Sequence, residues 1–508
     1  MNGQSKDMAT QAGPVLTAVR VWLEAYRVEV ALFAVSFLVL AMFSSQRFLR
    51  QSEAPHFVYQ AQAWLEGRLD LDPQVLPNLE DWACVREVAA AKVRCEGRPL
   101  PTDRWYVSFP SFPAAVMLPF VALHGYQLND TSFGVFVGAL AVAFFYSLLR
   151  FLAREHESER DGVENGALAL LLAFGTLFFY CAIRGEVWFS AEVMGVAFTC
   201  LYARNSVRAR RPVLAGLFYS MAVLTRTPLF FSGMFFLVEA LCPEQGQRLE
   251  HLRRLGNDWK AWRPVLRKLG LFTAGAAPLA LLAAAYNQVR FGSVTEFGHR
   301  FLFNNFVNEK VDTLGLFHPR YLVETARGPG NLEAALLKLP TFSSNPLQLG
   351  FDLNGLTLAL TFPLLAFIFF APRRKWGSWP LLLAAPLGVL MLSPQWLRQV
   401  PLLAWVLLVS LPAMAYFGQP KEPRRLHWPL WLTVGATALP GFFYQNNGFA
   451  QFGYRFSLDY TPYLLLLFAV SAWSLKHRWV LVAAALGVVV NFWGAVAFRG
   501  YTEQMRHW

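Results

Sequence analysis

Charge is scarce in this sequence. Asp, Glu, Lys and Arg make up 15% of it, against roughly a quarter of an ordinary soluble domain, so a water-soluble fold is a poor fit from the start. The signatures of nucleotide and zinc chemistry are missing too. There is no Walker-type phosphate loop, no Gly-x-Gly-x-x-Gly fingerprint followed by a ribose-binding acid, and no paired Cys or His at zinc spacing. No repeat of roughly 20 to 50 residues recurs, and no matched pair of interrupted helices stands in two halves of the chain, as in many secondary transporters. These gaps call for no cofactor and no metal. No polar stretch is long enough to form a large aqueous domain.

What fills the space is apolar. The chain is 55% hydrophobic and 15% aromatic, and apolar stretches of about 15 to 20 residues recur along it, the length a helix needs to cross a hydrocarbon core. The formal charge of +12 does not point to nucleic acid, because Lys and Arg lie in short clusters between apolar runs rather than along one stripe; they read as topology signals. The first run, Val30 to Phe43, follows Lys6, Arg20 and Arg27 and has no small-residue cleavage site after it, so it reads as a retained helix. Of the five cysteines, Cys181, Cys200 and Cys242 lie in or beside apolar runs and read as packing residues. Cys84 and Cys95 share a polar loop and suit a disulfide if that loop faces an oxidising compartment.

Basic clusters recur at Arg150 and Arg154, Arg204 to Arg211, Arg248 to Lys268, Arg373 to Lys375, Lys421 to Arg425, and Lys476 with Arg478. Short cytoplasmic loops are enriched in such residues, so all of these are expected inside. Alternation from a cytoplasmic N-terminus then requires that Phe112 to Leu123, bracketed by Pro110, Pro113 and Pro119, does not cross; it reads as an interfacial or re-entrant helix. The expected spans are 30–46, 132–152, 166–182, 187–203, 213–225, 228–241, 269–287, 355–371, 379–394, 400–416, 428–444, 461–474 and 479–497. The fifth and sixth, joined through Leu224 to Pro228, are short enough to form a half-depth hairpin. The expectation is an all-α, polytopic protein of the inner (plasma) membrane, with about 13 transmembrane helices and one membrane-embedded domain over residues 1–508. External loops 44–128, 288–354 and 445–460 carry short interfacial helices, and loops longer than about 15 residues are usually functional.

Three stretches in those loops carry candidate chemistry. Immediately after the first span come Glu53-Ala54-Pro55-His56-Phe57 and an amphipathic run, Val58 to Leu65, closing at Glu66-Gly67-Arg68; a carboxylate at the mouth of a helical bundle is placed to act as a general base. Asp81 and Asp103 lie in the same loop, which runs on through Trp105-Tyr106-Val107-Ser108-Phe109-Pro110. The second stretch is Tyr286-Asn287-Gln288-Val289-Arg290-Phe291-Gly292, continuing to Arg300; its arginines either bind a lipid phosphate bidentately or form an interfacial belt with snorkelling heads. The third, Gln451 to Pro462, holds Arg455 and Asp459 four residues apart. Those two make either a local helical ion pair or a phosphate clamp in which Asp459 orients Arg455. Charges inside spans cost roughly 2.5 to 3.5 kcal/mol on insertion scales, so Glu192 and Arg226 need a purpose, either pairing with each other or lining the site. Arg184 and Glu186 read as interfacial.

The order of these features resembles the C-type glycosyltransferases that use polyprenol-phosphate donors, which include protein O-mannosyltransferases and lipid A aminoarabinose transferases. Their first external loop tends to open on an acidic pair, then His or Arg with an aromatic, then a short amphipathic helix ending near Gly. Here Glu53 stands where that family usually has Asp, and Ala54 where it often has a second acid. The resemblance implies transfer of a sugar from a polyprenyl-phosphate donor to a lipid, glycan or protein acceptor at an external, periplasmic active site. It implies Glu53, Asp81 or Asp103 as catalytic carboxylate, with His56, Arg290, Arg300, Arg455 and Asp459 on the substrate. Membrane lipid is a partner and nucleic acid is not. The rival expectation is a lipid or glycolipid transporter or flippase using the same arginines and Glu192.

Overall fold

The computed structural model describes residues 24–77, 81–242, 256, 258–303, 311–326, 328–344, 347–369, 388, 390–391, 393–418, 424–448 and 450–505. Most of the expected span at 379–394 lies outside these residues, as do Lys6, Arg20, Arg373 to Lys375 and Lys421. In chain order the principal helices are α1 (Arg27–Ser44), α2 (His56–Leu65), α3 (Phe112–His124), α4 (Asp130–Arg154), α5 (Gly162–Phe174), α6 (Phe178–Ala182), α7 (Val187–Ser206), α8 (Pro212–Val223), α9 (Gly233–Leu241), α10 (Trp259–Phe291), α11 (Leu402–Phe417), α12 (His427–Phe443), α13 (Thr461–Ala469) and α14 (Arg478–Met505). Among the described residues, α1 with the turn that follows it, α4, α10 and α14 are long and apolar enough to cross a membrane.

Of the other expected crossings, 187–203 falls on the 20-residue α7, which carries Glu192 and Arg204 and is the less apolar for it. Several others fall on shorter pieces, for local reasons. The run 166–182 breaks between α5 and α6, where Thr176 turns its hydroxyl onto the Leu172 carbonyl at 2.8 Å and accepts the Phe178 N–H at 3.2 Å. Pro228 opens the 3₁₀ turn Thr227–Ser232 between α8 and α9. Pro363 separates the short helices Leu358–Thr361 and Leu365–Phe369.

The bundle is organised around α7, which is buried along most of its length, including Glu192 in its second turn. Helix α8 packs on α7 and on α10. At the second crossing a Cβ on Gly216 would lie 1.9 Å from the Phe272 carbonyl oxygen, and one on Gly275 would lie 2.1 Å from that of Val213. Only glycine lets the two backbones come so close, the device by which membrane helices gain dispersion contacts without a hydrophobic drive. The outer face of α10 stays uncovered, with Leu281 and Leu282 more than two-thirds exposed, as suits a helix facing lipid.

The all-α expectation needs correcting in the first long loop, which folds as a three-stranded antiparallel sheet of β1 (Trp82–Val88), β2 (Ala91–Arg94) and β3 (Arg104–Val107) in the order β2-β1-β3. Val88 pairs with Ala91, leaving a two-residue turn at Ala89 and Ala90, both at positive φ (49° and 66°). Such turns normally carry Asn-Gly or Asp-Gly. Cys84 and Cys95 are disulfide-bonded across this hairpin. Two further two-stranded ribbons, Glu324–Thr325 with Gly328–Pro329 and Thr341–Ser344 with Leu347–Gly350, lie in the second long loop.

Candidate functional site

Seven segments end at one place: the exit of α1, the entries to β1 and α3, the α6–α7 and α8–α9 junctions, the exit of α10 and the segment from α12 to α13. Between them lies a cavity of about 580 Å³. Its lining includes Glu53, His56, Asp81, Arg184, Glu186, Arg226, His299, Tyr444, Arg455 and Asp459. All three long loops contribute.

Deep in the cavity the arginines are held by acids. Arg226 makes a two-pronged contact with Asp459, Nε to Oδ1 at 3.0 Å and Nη2 to Oδ2 at 2.7 Å. Arg455 lies 3.2 Å from Glu192 Oε1 through Nε and donates Nη1 to the Gly448 carbonyl at 2.8 Å. The same Glu192 oxygen is 3.8 Å from Arg226 Nη2, so one buried carboxylate stands between two guanidiniums. Both guanidiniums also lie over the Phe456 ring, at 5.4 and 5.3 Å. The local Arg455–Asp459 pair does not form. Residues Arg455–Asp459 make a 3₁₀ turn, in which positions three apart eclipse and positions four apart diverge, so Asp459 is turned to Arg226 instead.

A third arginine lines the opposite side. Arg184 binds Glu186 through Nη2 at 2.7 Å and through Nε at 3.1 Å, and donates to the Tyr180 hydroxyl at 3.2 Å. Burial pushes the Glu186 carboxyl up, but the Arg184 charge and its hydrogen bonds outweigh that and hold it at about 2. Glu53 is exposed at the rim. Asp81 also lines the cavity and sits at φ 60°, a left-handed conformation that Asp tolerates better than most residues. An aromatic wall completes the site. His56 stacks on Trp82 at 3.7 Å, and ring contacts continue from His56 to Phe109, from Phe109 to His299 and from His299 to Tyr444. Burial lowers the pKa of His299.

Three expected site residues lie elsewhere. Asp103 is buried beneath the β-sheet, gripped by Arg86 through two contacts of 2.8 Å and by the Leu100 N–H at 2.7 Å; the Arg86 hydrogen bonds hold its carboxyl below the usual aspartate range. Arg290 is fully buried, donating to the Val107 carbonyl and the Asn287 side chain and stacked on Tyr286 at 4.0 Å. Arg300 is exposed beside Glu296, 3.7 Å away. None of the three lines the cavity. Conversely, Arg184 and Glu186, read as interfacial, do line it. The cost of a charge inside an apolar run was the available signal for Glu192 and Arg226; His299 and Tyr444 carried none.

No family model matches the chain, and no curated protein matches it. Among solved structures it is similar to the apo form of the oligosaccharyltransferase of Archaeoglobus fulgidus, at 14% identity and a TM-score of 0.32, over 91% of this chain and 56% of that one. The chain thus spans little more than half the length of that protein, and so loose a likeness decides nothing about activity.

Proposed function

We propose that the chain is a single membrane-embedded glycosyltransferase domain that moves a sugar from a polyprenyl-phosphate donor to a hydroxyl of a lipid, glycan or protein acceptor. The observation that carries this reading is the convergence of the long loops on one cavity with carboxylates at its rim and clamped guanidiniums at its depth. Glu53 takes the proton of the acceptor hydroxyl, whose oxygen bonds to the anomeric carbon. The bond from that carbon to the phosphate oxygen breaks, and its electron pair leaves with the phosphate. Asp81 is the alternative base on the same rim.

Arg226 and Arg455 meet the charge that grows on the leaving phosphate. Arg226 takes the role first expected of Arg290. Asp459 and Glu192 fix the two guanidiniums beforehand, so they need not reorganise as charge develops. His56 and the aromatic wall present flat faces to the sugar ring. In this reading the N-terminus is cytoplasmic, the protein sits in the inner membrane and the cavity opens to the periplasm or an equivalent exterior. Nucleotide sugars are cytoplasmic, and a lipid-linked donor is the activated sugar available on that side.

The test is release of polyprenyl phosphate from radiolabelled polyprenyl-phosphate mannose, glucose and aminoarabinose by the purified protein. A parallel arm follows movement of the same lipids across proteoliposomes. Donor cleavage supports the transferase. Movement without cleavage replaces it with a flippase.

A further inference from the structure

We propose that Asp130 is a positioning residue for Glu53, acting through Ser52; the inference rests on the reading of Glu53 as the base. Glu53 sits on an irregular stretch between the 3₁₀ turn Ser45–Leu49 and α2. A carboxylate on such a stretch is useful only if its backbone is held, because each loosely fixed residue multiplies the unproductive geometries.

The holding contacts are specific. Gln51 donates through Nε2 to the Tyr126 and Leu128 carbonyls at 2.6 and 2.9 Å, and the Ala54 carbonyl accepts the Val187 N–H at 3.0 Å. Between these ties, one carboxylate takes both donors of Ser52. The Ser52 N–H reaches Asp130 Oδ1 at 2.8 Å and the hydroxyl reaches Oδ2 at 2.5 Å. The same hydroxyl oxygen accepts the Ala54 N–H at 3.3 Å. Glu53 is therefore the tip of a small turn whose base is gripped by Asp130.

Helix capping does not account for that carboxylate. Asp130 is the first residue of α4, yet the cap is supplied by Asn129, whose side chain accepts the Ser132 N–H at 3.0 Å and donates to the Phe48 carbonyl at 2.9 Å. Asp130 is 1% exposed, and burying a carboxylate is costly unless its hydrogen bonds repay it. It is also sterically confined. A Cβ on Gly185 would lie 2.9 Å from Asp130 Oδ1 and 2.4 Å from Thr131 Oγ1, so α4 and the α6–α7 junction meet here with no spare room.

The experiment is a double-mutant cycle on the full-length protein, reading kcat and KM for release of polyprenyl phosphate from the donor that the wild type cleaves. Asp130→Ala and Ser52→Ala are made with Glu53 intact and in Glu53→Gln. Misplacing a reacting group by about 1 Å can cost up to 10²-fold. The expected loss in kcat is about 10- to 100-fold with KM unchanged when Glu53 is intact, and no further loss in the Glu53→Gln background, where the positioned group is already gone. Asp130→Asn keeps the volume and one acceptor oxygen and is expected to recover part of the rate. Amide exchange at Ser52, measured without substrate, is expected to quicken in Asp130→Ala and to stay slow in Glu53→Gln.

Equal losses in both backgrounds make Asp130 a structural residue and overturn the inference alone, as does unchanged exchange at Ser52. Wild-type turnover by Glu53→Gln removes the base reading itself and this inference with it.

Discussion

Both ends of the bundle bury arginines against acids, and they use them differently. At the end away from the cavity, Arg425 lies between Glu157 and Glu239, with contacts of 2.8 and 2.7 Å. Arg208 adds its backbone N–H to Glu239 at 2.6 Å and its Nε to Glu157 at 3.0 Å. None of these four residues lines the cavity. They tie together the ends of α4, α7, α9 and α12, and two of those helices, α7 and α12, bring their other ends to the cavity. At about 1.5 Å per residue, the stretch of α7 from Glu192 to Ser206 separates the two clusters by about 20 Å. At the cavity end, comparable pairs border open space. One set of ion pairs joins helix ends; the other, in the proposed reading, offers held cations to a ligand.

The comparison predicts opposite phenotypes at the two ends. The largest effect is on turnover: Glu53→Gln is expected to lose about 10²- to 10⁴-fold, the usual contribution of a general base, with unchanged thermal stability in detergent. Glu53→Asp should recover part of the rate. If Asp81→Asn is the inactive variant and Glu53→Gln is not, the base is on the same rim but on the β1 side.

The counterpart at the far end is Arg425→Ala, which removes the cation between two buried carboxylates. Breaking a buried pair from one side costs about 3–5 kcal/mol, read as a lower unfolding midpoint, while the fraction that stays folded keeps the wild-type KM. A fall in donor affinity without a fall in stability would erase the distinction between the ends.

Arg226→Lys and Arg455→Lys are smaller probes. Each keeps the charge and loses the planar fork, so donor binding is expected to weaken by about 10-fold, one hydrogen-bonding contact's worth, with the helical bundle intact. Unchanged donor affinity in both would leave these arginines as structural as Arg425.

The smallest effect belongs to Asp103, the acid away from both clusters. Asp103→Asn should leave turnover unchanged and loosen the β-sheet, measured by amide exchange across β1 and β2. Because Arg86 lowers the Asp103 carboxyl in the folded protein, the stabilisation is fully present above the ordinary aspartate value of about 3.9. It is lost as pH falls through the lower folded value. The wild-type sheet should therefore lose protection in acid, and the Asn variant should show no such step.

Helix positions were readable because a run of apolar side chains is a property of the local chain, and so was the pairing of two cysteines in one polar loop. The rule that a charge inside an apolar run needs a purpose singled out Glu192 and Arg226 before any geometry was known. The β-hairpin was not readable, since its turn is Ala89-Ala90 rather than a glycine-bearing pair and only the surrounding sheet and disulfide hold it there. Which acid each arginine meets was beyond the sequence as well. Arg455 and Asp459 look like a helical pair until a 3₁₀ turn sends Asp459 to Arg226, 233 residues away in the chain. Arg290 looks like a surface clamp until β3 places a carbonyl against it. Asp130 carried no signal in the sequence, and only the loop lying across it after α1 gives its carboxylate partners. Sequence alone determined where the chain is apolar enough to be helical in lipid. Tertiary structure decided the partners of Arg226, Arg425 and Arg455, because the cost of an unpaired ion is met by whichever group the fold brings within about 3 Å, and for these three that neighbour is far away in sequence.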